Sequence, residues 1–132
     1  MAALRGRGVE IAVDESVRDC GVDAVLGADA ADVAILKPMA LGGPDAATET
    51  ARLFVDAGVD PVVTTTIDGA VARAAAVHVA AAVPGDRACG LATGGMLAGD
   101  LGTDPVPVVD GAITVPDGPG NVGAAFDDRL WD

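Results

Sequence analysis

The only lysine of the chain, Lys37, follows directly on the apolar run Ala34-Ile35-Leu36 and precedes Pro38. Such a run is typical of a buried strand, and burial disfavours the charged form of an ammonium group. A lysine in this position is therefore expected either to pair with a carboxylate or to act in proton transfer. A lysine that extends past the strand end into solvent is the structural alternative.

Carboxylates and hydroxyls follow two other apolar runs. Asp14 and Glu15 come after the first run, and a later run ends in the threonines 64–66 and Asp68. Carboxylate oxygens suit Mg2+, so Asp14 is a candidate ligand, with Glu15 beside it at the ion or hydrogen-bonded behind it. An acidic pair at a helix N-terminus is the alternative for both acids. The threonines could hold a substrate carboxylate, but they are also ordinary strand residues.

The elements that must position these groups alternate between strands and helices. Apolar runs predict strands at residues 9–13, 32–36, 61–66 and 88–92. Helices are predicted at 44–57 and 70–83, with a short one from 93 to about 101, an irregular or helical connection at 17–27, and a helix end at 1–8. This alternation indicates a parallel α/β sheet with right-handed crossovers.

All the candidate groups then fall at one edge of the sheet. Ligands of parallel sheets bind outside the carboxyl ends of the strands, where Asp14, Lys37, residues 64–68 and residues 90–93 are expected. Lys37 could there serve as an acid, a base or a fixed cation facing a developing oxyanion. His78, inside an alanine-rich helix, is expected to be a packed or surface residue. From residue 103 a hairpin with an Asp110-Gly111 turn is predicted, followed by a glycine-rich turn.

The charge balance excludes some partners. The chain has 132 residues and a net charge of −12, which disfavours nucleic acid and anionic membranes. With almost no lysine, this acidity predicts a cytoplasmic protein of a halophile. Cys20 and Cys89 form no metal or redox motif and are expected to be free, partly buried thiols. No apolar run has the length of a membrane span, and the first residues lack a signal peptide.

Several segments together resemble one known family. The segments are Ile11 to Ser16, Ala34 to Pro38 with Gly42-Gly43, Val63 to Gly69, Gly90 to Thr93, and the tail that begins at Pro116. In order and spacing they resemble the C-terminal half of the enolase superfamily, its muconate-lactonising subgroup, and the o-succinylbenzoate synthases most closely. The resemblance implies a partial (β/α) TIM-type barrel of about four C-terminal strand–helix units in residues 1–102, with a hairpin and glycine-rich tail in residues 103–132.

The same resemblance implies roles for single residues. Asp14 matches the third metal-binding carboxylate and Lys37 the second active-site lysine, which faces the enediolate in the synthases. Thr65 and Thr66 stand where the family has serines, and Asp68 stands near its glutamate, around the substrate's carboxylate. Gly90 and Leu91 would line the pocket. The implied reaction is a Mg2+-dependent syn dehydration in menaquinone biosynthesis.

Residues of the family that are missing from this sequence bear on its subgroup and on whether its active site is complete. Residues 64–68 contain no histidine base of a mandelate-type racemase, and residues 89–95 contain no acid pair of a dipeptide epimerase. The capping domain, the first lysine pair and two metal carboxylates of the family are also not in this sequence, so the Mg2+ site is incomplete. We expect a truncated or split synthase-like protein, inactive alone, with a segment missing before Met1.

Two other hypotheses stay open from the sequence. The first is another activity of the subgroup, such as N-acylamino acid racemisation or muconate-type lactonisation. The second is a non-catalytic half barrel, because an open half barrel leaves sheet edges unpaired. Such a chain would assemble with itself as a homodimer or with a separate N-terminal half. For the synthase and for another activity of the subgroup alike, the expected ligand is a small carboxylate.

Overall fold

The computed structural model describes residues 2–123, and its centre is a three-stranded parallel sheet. The strands are β1 (Ala12–Val13), β2 (Val33–Leu36) and β3 (Asp60–Val63), in the order β1-β2-β3. Their carboxyl ends therefore meet at one edge, as the sequence predicts. The described part of the sheet is open and is not closed into a barrel.

Four helices cover one face of the sheet: α1 (Glu15–Cys20), α2 (Val22–Gly27), α3 (Pro44–Asp56) and α4 (Ala70–Ala82). Pro44 stands in the first turn of α3, where a missing N–H costs nothing, and Asp45 complements the helix dipole there. The helix ends before Gly58, as predicted. The connection at 17–27 is helical, since it consists of the last residues of α1 and all of α2.

Strand alternation divides the sheet into two faces. Val13, Ala34 and Leu36 belong to a core cluster with Phe54 of α3, and Val63 belongs to a second cluster with α4. The intervening residues point to the opposite face, because successive strand side chains alternate. Strand register then brings Asp14, Ile35, Lys37 and Thr64 to that face. We call it the uncovered face because the four helices pack against the other one.

Four predicted elements are shorter than expected, and one of them is β3, which ends at Val63 and not at Thr66. The short strand predicted at 88–92 is reduced to one parallel bridge between Thr64 and Gly90, so its predicted length is wrong. Glycine has little strand preference, and one backbone contact on each side of Gly90 is all that forms. The first strand keeps only two of its five predicted residues. The predicted helix from residue 93 is a single 3-10 turn at Gly94–Met96.

The predicted hairpin is present. β4 (Val108–Val109) and β5 (Ala112–Ile113) pair antiparallel. Asp110 and Gly111 between them have φ values of 50° and 79°, the left-handed pair that a tight type I′ turn requires. Val106, just before β4, is fully buried in the cluster with α4. The division of the chain at residue 103 stays a proposal.

The ends and surface of the described chain complete the fold. Residues 2–4 form a 3-10 turn followed by Arg5, in line with the predicted helix end, whereas Met1 and residues 124–132 of the predicted tail lie outside the described residues. Cys20 and Cys89 are free, but both are exposed rather than partly buried. Within residues 2–123, no helix is both long enough and apolar enough to cross a membrane.

Candidate functional site

Lys37 and Asp14 meet at the carboxyl ends of β2 and β1. The Nζ atom of Lys37 lies 2.7 Å from each carboxylate oxygen of Asp14 and 3.9 Å from Oε1 of Glu15. The Lys37 side chain is 23% exposed, Asp14 is 38% exposed and Glu15 is 68% exposed. Of the alternatives for Lys37, the structure shows the carboxylate pair and not a solvated lysine.

The turn after β2 fixes the direction of Lys37. The Lys37 carbonyl accepts hydrogen bonds from the backbone N–H groups of Ala40 at 2.9 Å and Leu41 at 3.0 Å. This tight turn, which starts at Pro38, leaves the Lys37 side chain on the uncovered face and toward β1. Asp14 directly precedes α1, whose first residue is Glu15. The two acids therefore lie at a helix start as well as at a strand end.

A cavity of about 220 Å3 opens beside the Asp14–Lys37 pair. Its wall includes four charged side chains, one hydroxyl and an apolar part. The lining residues are Asp14, Glu15, Arg18, Lys37, Thr66, Val17, Ile35, Ala40 and Leu41. This cavity combines carboxylate oxygens, cations and an apolar wall, a composition typical of small-molecule ligand sites.

The three threonines after β3 have different surroundings. Thr65 is buried, and its hydroxyl lies 2.7 Å from the Thr93 hydroxyl and 3.4 Å from the Gly90 carbonyl. Thr64 shares the uncovered face with Lys37, and its buried Oγ1 has no hydrogen-bond partner in the described chain. Thr66 is exposed and lines the cavity. The structure therefore brings Thr66 to the site directly, whereas Thr65 lies behind it.

Asp68 is engaged with the turn after β3. Its carboxylate accepts hydrogen bonds from the Thr66 hydroxyl at 2.5 Å and from the Thr66 backbone N–H at 3.2 Å. Ile67 between them has a φ of 82°, a value that is rare for a β-branched residue. Asp68 thus holds Thr66 in place in this structure.

Gly90 and Leu91 differ in how close they come to the site. Gly90 exchanges backbone hydrogen bonds with Val63 and Thr65, and a Cβ atom at Gly90 would lie 2.8 Å from Cγ2 of Thr64. Leu91 is buried in the core cluster with α4, and it lines an apolar groove under the hairpin instead of the cavity at Lys37. Gly90 therefore contacts the uncovered face, and Leu91 supports it from the core.

Two arginines, Arg18 and Arg73, lie in surroundings that the sequence does not predict. Arg18 lines the cavity, and its position four residues after Asp14 on a predicted helical segment was the available signal. Arg73 of α4 is 2% exposed. It pairs with Asp104 and packs against Gly94, and its Nε has no partner among the described residues. Nothing in the sequence of this alanine-rich helix predicts that its charged residue Arg73 is buried.

An ion-pair cluster lies at the opposite, amino-terminal end of the strands. Arg87 contacts both carboxylate oxygens of Glu10, at 2.5 and 3.0 Å, and Asp60 at 2.7 Å. Its hydrogen bonds lower the pKa of Glu10, and the two acids, Glu10 first, raise the pKa of Arg87. The cluster joins the segment before β1 to the start of β3 and to the segment before Gly90. His78, by contrast, contacts the Asn121 carbonyl and lies away from Lys37.

The residues present fit one side of a Mg2+ site. Asp14 offers a partly exposed carboxylate in the cavity, and Glu15 offers a second. Oxygen donors of this type suit Mg2+. Residues 2–123 contain no group of three or more histidines, cysteines or acids placed to hold a metal ion. Further ligands must therefore come from water, from substrate or from polypeptide outside the described residues.

Comparisons with known proteins agree on one family. A family model described as enolase C-terminal domain-like matches residues 1–130. The o-succinylbenzoate synthase of Mycobacterium tuberculosis (strain H37Rv) is 43% identical over 118 residues, which cover 87% of this chain and 35% of that protein. The chain thus spans about a third of the length of this curated relative.

Solved structures show the same fold. The 2-chloromuconate cycloisomerase of Rhodococcus opacus 1CP matches with a TM-score of 0.81 at 27% identity, over 92% of this chain and 34% of that chain. A dipeptide epimerase of Methylococcus capsulatus, solved with Mg and a dipeptide, matches with a TM-score of 0.78 at 29% identity, over 92% of this chain and 34% of that chain. The similarity therefore extends across several activities.

Proposed function

Because the chain belongs to the enolase C-terminal domain-like family, we propose that it supplies the Asp14–Lys37 part of the active site of an o-succinylbenzoate synthase-like lyase. One observation supports the proposal most directly: Lys37 and Asp14 lie 2.7 Å apart at the carboxyl ends of neighbouring parallel strands, beside a cavity. That edge is where enzymes of parallel α/β sheets place their chemistry. The curated relative with 43% identity is named for this activity.

The residues of the cavity take distinct roles in the proposal. Asp14 would bind Mg2+, with Glu15 beside or behind it. When bound, the ion would supply positive charge that stabilises negative charge developing on the substrate. Lys37 holds a second positive charge at the same place, 23% exposed, where low solvation strengthens its electrostatic effect. Syn dehydration through an enediolate requires such stabilisation.

The remaining proposed contacts concern the substrate's carboxylate. Thr66 offers an exposed hydroxyl on the cavity wall, and Asp68 orients it. The Thr65 hydroxyl anchors this segment to the Thr93 hydroxyl. Gly90 has no Cβ atom and can therefore lie directly against the Thr64 side chain. We assign Thr65, Asp68, Gly90 and Leu91 to the site as residues that support the strand ends carrying Thr66 and Lys37. A small carboxylate is the proposed substrate.

The proposal requires groups that these 132 residues do not contain. The chain covers about a third of its curated relative. Asp14 and its neighbour Glu15 cannot by themselves supply the octahedral coordination that Mg2+ requires. The proposed partner is therefore an N-terminal half of the enzyme, either covalently joined to this chain or a separate polypeptide. The alternative partner is a second copy of this chain in a homodimer. A cytoplasmic, salt-rich setting for this acidic chain is part of the proposal.

A chimera tests whether the chain carries the function. Residues 9–102 would replace the matching region of the M. tuberculosis relative, and the product would be assayed for o-succinylbenzoate formation with Mg2+. We expect measurable activity, a loss of about 1,000-fold in the Lys37→Ala chimera, and no change in an Arg52→Gln chimera. Arg52 is a suitable control because it is exposed and its partner within the described chain is Glu49 of its own helix.

The outcomes separate the hypotheses. A chimera that folds by circular dichroism but retains its rate after Lys37→Ala would contradict the role of Lys37. A folded chimera that racemises an N-acylamino acid or lactonises muconate instead would support another activity of the subgroup. A folded chimera without any of these activities would favour a non-catalytic half barrel.

A further inference from the structure

Arg18 is the second cation of the cavity beside Lys37. It stands four residues after Asp14, one helical turn along α1, and its side chain lines the same 220 Å3 space. Among the residues that line this cavity, the two acids Asp14 and Glu15 are balanced by the two bases Lys37 and Arg18. In a chain with a net charge of −12, two cations on one small cavity call for a specific explanation.

The partners of the two cations differ. Lys37 is engaged by both oxygens of Asp14. Arg18 donates from Nε to Asp19, its sequence neighbour, at 2.7 Å, and both of these side chains are 54% exposed. An exposed pair of this kind is weak and easily replaced. A guanidinium carries five N–H donors, and no acceptor in the described chain contacts the terminal nitrogens of Arg18.

Part of the wall of this cavity is apolar. Val17, Ile35, Ala40 and Leu41 line the cavity together with the charged groups. A molecule that places one carboxylate near Lys37 and its carbon skeleton against this wall would have a second anionic group available for Arg18. A guanidinium binds a carboxylate through two parallel hydrogen bonds. The arrangement thus matches an organic dicarboxylate better than a monocarboxylate.

We propose that Arg18 determines specificity by binding the carboxylate of the substrate that is remote from Lys37. The inference rests on the proposed function, and it goes beyond it by naming the residue that selects dianionic over monoanionic substrates. By its chemical name, o-succinylbenzoate, the product of the proposed reaction, carries one carboxylate on the ring and another at the end of the succinyl chain. Dehydration removes water and neither carboxylate, so the substrate carries both as well. Arg18 takes no part in the chemical step.

Binding measurements on the 132-residue chain test the inference. The probes are o-succinylbenzoate and benzoate, which lacks the remote carboxylate, titrated by NMR in the presence of MgCl2 at low ionic strength. The chain is expected to bind o-succinylbenzoate more tightly than benzoate. We expect Arg18→Gln to weaken o-succinylbenzoate binding about fivefold, as for an exposed ion pair, and to leave benzoate unchanged. Arg52→Gln should change neither probe.

The alternatives have distinct results. If Arg18→Gln binds both probes as the parent chain does, the inference is overturned while the proposed function stands. Equal binding of the two probes by the parent chain, or binding of neither, also overturns it. If Lys37→Ala leaves both affinities unchanged while Arg18→Gln weakens o-succinylbenzoate alone, the role of Arg18 is supported and the role of Lys37 fails.

Discussion

Substituting Gly90 by alanine should destabilise the chain through a single methyl group. Its Cβ would lie 2.8 Å from Cγ2 and 3.1 Å from Cβ of Thr64, whereas carbon atoms pack favourably at about 3.5–4.0 Å. Neither side can move easily, because Thr64 is β-branched and Gly90 is held by backbone hydrogen bonds to Val63 and Thr65. Overpacking of this type costs about 2 kcal/mol.

Urea denaturation followed by circular dichroism measures this cost. For a slope of about 2 kcal/mol per molar urea, the Gly90→Ala midpoint should fall by about 1 M. Gly95→Ala is the matched control, since a Cβ atom at Gly95 meets no heavy atom within 4 Å. Its free energy of unfolding should stay within about 0.5 kcal/mol of the parent value.

A second substitution tests the cause. Thr64→Ser removes Cγ2 and so the 2.8 Å contact, but leaves the Cβ atom at 3.1 Å. In the Thr64→Ser background, Gly90→Ala should therefore cost about half as much, and the two changes should be coupled by about 1 kcal/mol. If Gly90→Ala costs no more than Gly95→Ala, or the same in both backgrounds, the packing argument is refuted.

Three other predictions follow from charged residues. Asp104→Ala should destabilise the chain more than the double variant that also carries Arg73→Met, because the single change leaves a buried guanidinium unpaired. Thermal unfolding compares the two variants, and equal melting temperatures would contradict this prediction. The pKa of Glu10 is lowered by Arg87, so this pair stabilises the fold above the ordinary pKa of a glutamate and loses its effect as pH falls through the lowered one. Arg87→Gln should therefore reduce the urea midpoint at pH 7 and reduce it progressively less as the pH falls below the ordinary pKa of a glutamate; a reduction that does not change with pH would exclude the ion pair as its cause. Finally, Lys37→Ala should tighten Mg2+ binding in calorimetry, because it removes the cation 2.7 Å from the proposed ligand Asp14, and weaker binding would contradict competition for that carboxylate.

The parts of the fold that the sequence predicts are those with a strong local signal. The run ending at Leu36 is apolar, β-branched in part and followed by a proline turn, so both the strand and its end are visible. Pro44 and Gly58 mark the limits of α3 in the same way. The strand predicted at 88–92 had the apolar residues but also Gly90, whose role is a close contact with Thr64 that depends on tertiary structure.

The candidate site shows the same limit at the level of single side chains. That Asp14 and Lys37 share an edge follows from parallel strands, and the structure shows them in contact. Which threonine faces the cavity does not follow from three identical residues in a row. The turn after β3 decides it: Thr66, held by Asp68, lines the cavity, whereas Thr65 is buried beside Thr93.

The pairing of Lys37 with Asp14 also stabilises the carboxylate of the proposed metal site in this chain. A carboxylate intended for a cation is costly to leave uncompensated in a half-buried place, and Lys37 supplies that compensation at 2.7 Å. Arg87 does the same for Glu10 at the other end of the strands, with Asp60 as a second acceptor. At both ends of this open sheet, cations thus pair with carboxylates of neighbouring segments, and at the amino-terminal end Arg5 also pairs with Asp32. The Lys37–Asp14 pair at the carboxyl end lies beside the 220 Å3 cavity, where a metal ion and a substrate are proposed to replace Lys37 at Asp14.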